Sequence, residues 1–161
     1  MKYIFITLLF FGFIGSGNAQ NASVSIGGDV AKPFELTKSV QAAMKQVAVK
    51  VKQSDDVTHE YKGVPLYDIL IKAEAIPEQK LHGKALMKYV LVTAADGYQI
   101  VLAIAETDPA FSDHAIILAT SMDGEELPAN QGPFRLIVSG DKRAARSAMR
   151  VTDIMVQTAR K

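Results

Sequence analysis

The chain of 161 residues contains no cysteine. It therefore forms no disulfide bond and offers no thiolate for nucleophilic catalysis or for a soft metal. The motifs G-x-S-x-G and H-E-x-x-H are also missing. The three histidines, His59, His82 and His114, are far apart and none has a second ligand at the usual spacing of a metal site. The sequence thus gives no support for a hydrolase or for a local metal-binding motif.

The sequence also has no clear surplus of charge of either sign, because it contains 18 Lys and Arg and 17 Asp and Glu. This balance argues against nucleic acid as a partner, since binding to phosphate backbones needs a basic surface. The charge is nevertheless uneven: from Arg135 to the C-terminus there are seven basic and two acidic residues, a surplus of 7 − 2 = 5. A small anionic ligand would be attracted to this segment.

Only one long apolar run occurs, from Tyr3 to Ile14, and it is shorter than the roughly 20 residues of a membrane-spanning helix. Lys2 precedes the run, and the small residues Gly17 and Ala19 follow it at the spacing of a cleavage site. We therefore predict a signal peptide over residues 1–19. The mature chain, residues 20–161, would have 161 − 19 = 142 residues, form one domain, and be periplasmic or secreted.

The segment 127–149 combines a turn, a strand and a basic loop. Gly132-Pro133 predicts the turn, and Phe134–Val138 predicts a buried strand. The strand leads through Ser139–Asp141 into three closely spaced cations, which are Lys142, Arg143 and Arg146. Such a loop can direct backbone N–H groups and positive charge at one phosphate or carboxylate. A solvated helix face has the same spacing, so both interpretations stay open.

Strands outnumber helices in the pattern of the remaining chain. Tyr89–Ala94 and Tyr98–Ala103 flank an Asp-Gly turn and predict a hairpin, and Ser23–Ile26 is typical of an edge strand. Val47–Val51 alternates like a half-buried strand, and Leu66–Ala73 has the apolar spacing of a helix. The expected fold class is α+β, a single domain with mixed β-sheets and few helices.

Five short motifs follow one another along the mature chain. They are Val24–Pro33 (VSIGGDVAKP), Tyr61–Leu70 (YKGVPLYDIL), Ala95–Tyr98 (ADGY), Leu118–Pro128 (LATSMDGEELP) and Gly132–Val138 (GPFRLIV). In this order they resemble the successive signatures of the oxidoreductase molybdopterin-binding domain, the sulfite oxidase fold. The resemblance implies the molybdopterin-domain fold of that family and a pterin cofactor, which could be molybdopterin.

The resemblance also implies the cofactor-binding residues. Arg135 matches an arginine of the family, and Asn130 stands five positions before it, where the family places a pterin-contacting asparagine. Lys142 and Arg143 fall in the loop that holds the cofactor's phosphate, and Arg146 extends this basic group. Two further candidates lie in motifs that are largely structural, namely Tyr98 and Asp123. No residue is expected to be catalytic.

The family's molybdenum-binding cysteine would fall in the interval 52–60, which has none. Neither serine nor lysine replaces a soft sulfur ligand, so molybdenum is not expected. Short cysteine-less exported members of the fold resemble periplasmic pterin-binding proteins, some of which act with membrane-bound cyclic-di-GMP enzymes. The leading hypothesis is therefore a non-catalytic pterin sensor that signals to such a membrane partner. The alternatives are a molybdopterin-dependent oxidoreductase, or a subunit of one, and a structural interaction domain with a vestigial pocket.

Overall fold

A computed structural model describes residues 22–52, 56–76 and 80–160. The predicted signal peptide lies outside these residues. The strands are β1 (Ser23–Gly28), β2 (Phe34–Thr37), β3 (Val47–Lys52), β4 (Thr58–Pro65), β5 (Lys88–Ala94), β6 (Gln99–Ala103), β7 (Ile116–Met122), β8 (Glu125–Glu126), β9 (Arg135–Val138) and β10 (Val151–Thr158). The helices are α1 (Lys38–Ala42), α2 (Leu66–Lys72) and α3 (Ile104–Thr107), with 3-10 turns at Gly83–Met87 and Ala144–Arg146.

The first sheet has the order β2-β1-β10-β5-β6. β1 and β10 are parallel, and the other neighbours are antiparallel. The hairpin predicted around the Asp-Gly turn is confirmed as β5 and β6, with Leu91 opposite Val101. The prediction of an edge strand at Ser23–Ile26 is wrong, because β1 lies between β2 and β10.

The second sheet has the order β3-β4-β7-β8, and β9 pairs with β7 beside β8. All of its pairings are antiparallel. The paired strands β4 and β7 approach each other especially closely at Gly63, where an added Cβ would lie 2.1 Å from the carbonyl oxygen of Leu118. Two sheets, one of them mixed, with only short helices confirm the predicted α+β class.

The main core joins one face of each sheet to α2. The first sheet contributes alternating residues such as Val90 and Val92, and the second contributes residues such as Leu118 and Leu136. The inner face of α2 adds Leu66, Ile69 and Leu70, all fully buried, as the apolar spacing predicts. Each such side chain contributes roughly 1.5–3 kcal/mol by its removal from water.

The opposite face of the second sheet forms a separate, smaller apolar cluster. Its fully buried members include Tyr61, Ile117 and Ile137, and alternate residues of β3 pack against them. These are Val47, Val49 and Val51, so β3 is half-buried as predicted. Within the described residues, no helix combines the length and apolar composition that crossing a bilayer requires.

Candidate functional site

Arg135, the first residue of β9, is buried in the smaller cluster, with 1% of its surface exposed. Its Nη1 donates to the hydroxyl of Tyr61 at 2.8 Å and to Oε1 of Gln131. The guanidinium lies 5.1 Å from the centre of the Tyr61 ring, at the distance of a cation–π contact. Its Nε has no hydrogen-bond partner among the described residues.

The electrostatics of Arg135 are those of a buried cation without an acidic partner. Burial lowers the pKa of its guanidinium, and the electrostatic attraction of the Tyr61 hydroxyl and the hydrogen bond to it act in the opposite direction. In the described ranges no carboxylate forms an ion pair with it. The side chain lines neither of the two cavities described below, so the predicted contact between Arg135 and a cofactor stays a prediction.

Arg146 is held by two carboxylates. Its Nε and Nη2 donate to Asp141 at 2.8 and 2.7 Å, and its Nη1 donates to Glu106 at 2.8 Å. These bonds raise the pKa of Arg146, while the hydrogen bonds from Arg146 hold the pKa of the Asp141 carboxyl below its usual value. Arg146 thus ties the loop after β9 to α3, and its predicted role towards a ligand remains untested.

Lys142 and Arg143 are exposed and line a cavity of about 400 Å³. The end of β3 supplies Lys52 to the same cavity, and Lys52 also pairs with Asp56 at 2.8 Å. Neither Lys142 nor Arg143 forms an ion pair with a residue of the described ranges. Among the described residues, the only carboxylate that lines the cavity is that of Asp141, and its arginine partner neutralises it. We call this space the cationic cavity, since its free charges attract an anion.

A second cavity, of about 380 Å³, lies on the same side of β3. We call it the apolar cavity. Its walls include Val47, Val49 and Ile117, and its polar side chains include those of Tyr67, Asp68, Asp113 and His114. Its size and lining are typical of small-molecule sites. The sequence reasoning missed this cavity, because its walls come from segments far apart in the chain.

The remaining predicted site residues do not line either cavity. The hydroxyl of Tyr98 donates to the carbonyl of Ala145 at 2.8 Å, so Tyr98 contacts the basic loop from its other side. Asn130 is exposed in the turn before β9.

Asp123 occupies a left-handed turn position, with φ of 53°. It accepts hydrogen bonds from Nδ1 of His59 at 2.6 Å and from the backbone N–H of Glu60 at 2.8 Å. The bond to His59 lowers the pKa of its carboxyl. These contacts organise the turn between β7 and β8. They do not test whether the residue also meets a ligand.

The model of the family described as the oxidoreductase molybdopterin binding domain matches residues 38–161. The chain therefore belongs to this family, as its motifs predicted. Among solved structures, it is similar to the sulfane dehydrogenase SoxCD from Paracoccus pantotrophus, with 19% identity and a TM-score of 0.67. The similarity covers 85% of this chain but 38% of that chain, and at this identity it shows the fold alone. No curated protein matches the sequence.

The residues of this chain fit the phosphate of the family's cofactor but not its molybdenum centre. The cationic cavity has the groups that would hold a phosphate, because Lys142 and Arg143 have free charges there. A molybdenum centre bound by a cysteine of this chain does not fit, since the chain has no cysteine. The described residues also hold no group of three or more His, Asp or Glu side chains placed to bind a metal.

Proposed function

We propose that this protein is an exported, non-catalytic pterin-binding protein whose loaded form is recognised by a membrane-bound partner. The observation that carries the proposal is the cationic cavity, in which Lys142 and Arg143 face the open space without acidic partners among the described residues. Membership of the molybdopterin-binding family supports a pterin as the ligand.

Lys142 and Arg143 would each bind a phosphate in a different way. Arg143 presents a planar guanidinium that can donate two parallel hydrogen bonds to a phosphate, whereas Lys142 acts as a point charge. Both are long side chains whose ordering costs entropy, so their contribution is greatest when a ligand excludes water from them. An anionic ligand group would thus be held between the loop and the end of β3.

Export is supported by the signal-peptide pattern of residues 1–19. The resemblance to periplasmic pterin-binding proteins favours a cyclic-di-GMP signalling enzyme as the membrane partner. For such a switch, the partner needs only to bind the loaded and the empty form with different affinity. A tenfold difference corresponds to about 1.4 kcal/mol.

One observation favours a second function, that of a molybdopterin-dependent oxidoreductase or a subunit of one. Molybdopterin ends in a phosphate, as simple pterins do not, and the free charges of Lys142 and Arg143 suit a phosphate. In this case a partner subunit would have to supply the soft ligand that this chain lacks.

The test is to purify the protein from its native source, release its ligand with acid, and analyse the extract by fluorescence and mass spectrometry. Molybdenum is measured by elemental analysis on the same sample. A stoichiometric pterin without molybdenum supports the binding protein. Molybdenum with a phosphorylated pterin supports the oxidoreductase, and the absence of any pterin contradicts both.

A further inference from the structure

The apolar cavity has carboxylates beside its apolar walls. Asp68, in the first turn of α2, and Asp113, in the loop before β7, both line it. Neither forms an ion pair with a residue of the described ranges. Tyr67 stands next to Asp68 in the lining, and burial, followed by the charges of Asp108 and Asp68, raises the pKa of its hydroxyl. Lys45 lines the cavity as well, so two carboxylates and one ammonium group stand beside its apolar walls.

The apolar and cationic cavities are neighbours. Ile116 lines the first and Val138 the second, and the two residues are register partners on β7 and β9. Along β3, Val49 lines the apolar cavity, and Val51, on the same face, lines the cationic one.

His114 of the apolar cavity lies against the loop that carries the cations. A Cβ added at Gly140 would be 2.3 Å from Cγ of the His114 ring, so only glycine allows this approach. The next residue, Asp141, lines the cationic cavity. The two cavities are therefore adjacent, and a ligand that joins a flat, largely apolar ring to an anionic group would match the pair.

We propose that the apolar cavity holds the ring of the pterin, with its amino edge on Asp68 or Asp113, while a phosphate on the side chain occupies the cationic cavity. The inference rests on the proposed function and adds the cavity that holds the ring and the orientation of the ligand. The 2-amino-4-oxo edge of a pterin presents adjacent N–H donors, and an ionised carboxylate has two oxygens that accept both. The apolar walls contact the faces of the ring, and Tyr67 adds an aromatic side chain.

The first test blocks the apolar cavity and measures binding of neopterin monophosphate by fluorescence titration. Ala115 is exposed and lines the cavity, and it lies on the same face of its strand segment as Ile117, so Ala115→Trp fills the cavity without entering the core. Ala31→Trp, on an exposed loop, is the matched control. We expect the blocked variant to lose at least tenfold in affinity for both neopterin monophosphate and neopterin, and the control to bind like the wild type.

The second test examines the amino edge with variants that keep the shape of the cavity. Asp113→Asn and Asp68→Asn are compared with Asp153→Asn on β10, using neopterin and its 2-oxo analogue, which lacks the amino group. The wild type should prefer neopterin at least tenfold. At least one of the two cavity variants should lose most of this preference, and the control should retain it.

The outcomes separate the two proposals. If the wild type binds pterins and both the tryptophan and asparagine variants bind unchanged, the ring lies elsewhere and this inference is wrong while the proposed function stands. If the wild type binds neither neopterin nor its monophosphate, the proposed function fails and the inference fails with it. Thermal unfolding of each variant confirms that a loss of affinity does not come from a loss of fold.

Discussion

Replacing Tyr61 by Phe tests the assignment of Arg135 as a buried cation held by a neutral hydroxyl. The change removes the oxygen that accepts from Nη1 of Arg135 at 2.8 Å and keeps the ring under the guanidinium. A hydrogen bond to a charged group contributes about 1.5–3 kcal/mol, and a charged group left without its partner cannot recover this from water when it is buried. We therefore expect a loss of about 1.5–3 kcal/mol in the free energy of unfolding.

Urea denaturation is the appropriate assay, because a lower midpoint at constant slope reports a change in stability alone. Tyr89→Phe is the matched control, since its hydroxyl donates to the neutral Gln157 in a partly buried position. A bond between neutral groups contributes about 0.5–1.5 kcal/mol. Equal losses in the two variants would show that the hydroxyl of Tyr61 stabilises the fold no more than a hydroxyl bound to a neutral group. The assignment of Arg135 as a buried cation held by Tyr61 would then be wrong.

Three further predictions concern the loop after β9. Lys142→Ala combined with Arg143→Ala should lower the affinity for neopterin monophosphate at least tenfold and leave that for neopterin unchanged, as measured by titration; an equal effect on both ligands would contradict a phosphate site. Gly140→Ala should destabilise the fold by about 1–3 kcal/mol in thermal unfolding, because its Cβ would overlap the ring of His114; an unchanged melting temperature would contradict the contact. The pKa of Asp141 is lowered in the folded state, so its ion pair stabilises the protein above the unfolded pKa of about 3.9 and is lost as pH falls through the folded value. The wild type should therefore be more stable than Asp141→Asn at pH 7, and this difference should shrink below about pH 4 in denaturation curves; a constant difference would refute the assignment.

The elements that the sequence predicts well are those whose signals are local. The hairpin of β5 and β6 has its turn residues and both alternating strands within one segment, and α2 has its apolar face within two turns. β1 was misassigned because its second neighbour, β10, lies more than a hundred residues later in the chain. The polar residues at alternate positions of Ser23–Ile26 gave no sign of a parallel partner.

The site was predictable to a similar extent. The basic residues of the loop after β9 are visible as a cluster in the sequence, and Lys142 and Arg143 do line a common cavity. The ion pairs of Arg146 could not be predicted from its spacing, because one of its partners, Glu106, is 40 residues away in the sequence. The contribution of Lys52 was equally hidden, since only the fold places the end of β3 beside this loop.

The arrangement explains how a family member without a cysteine can retain an anion-binding cavity. The metal ligand of the family would belong to the interval 52–60, whereas the free cations belong to the loop after β9. The loop is anchored separately, through the bonds of Arg146 to Asp141 and Glu106. Apart from Lys52, the cations of the cavity therefore come from a segment other than the one that would carry the metal ligand. Under the proposed function, this loop would hold the phosphate of a pterin although the chain offers no thiolate for molybdenum.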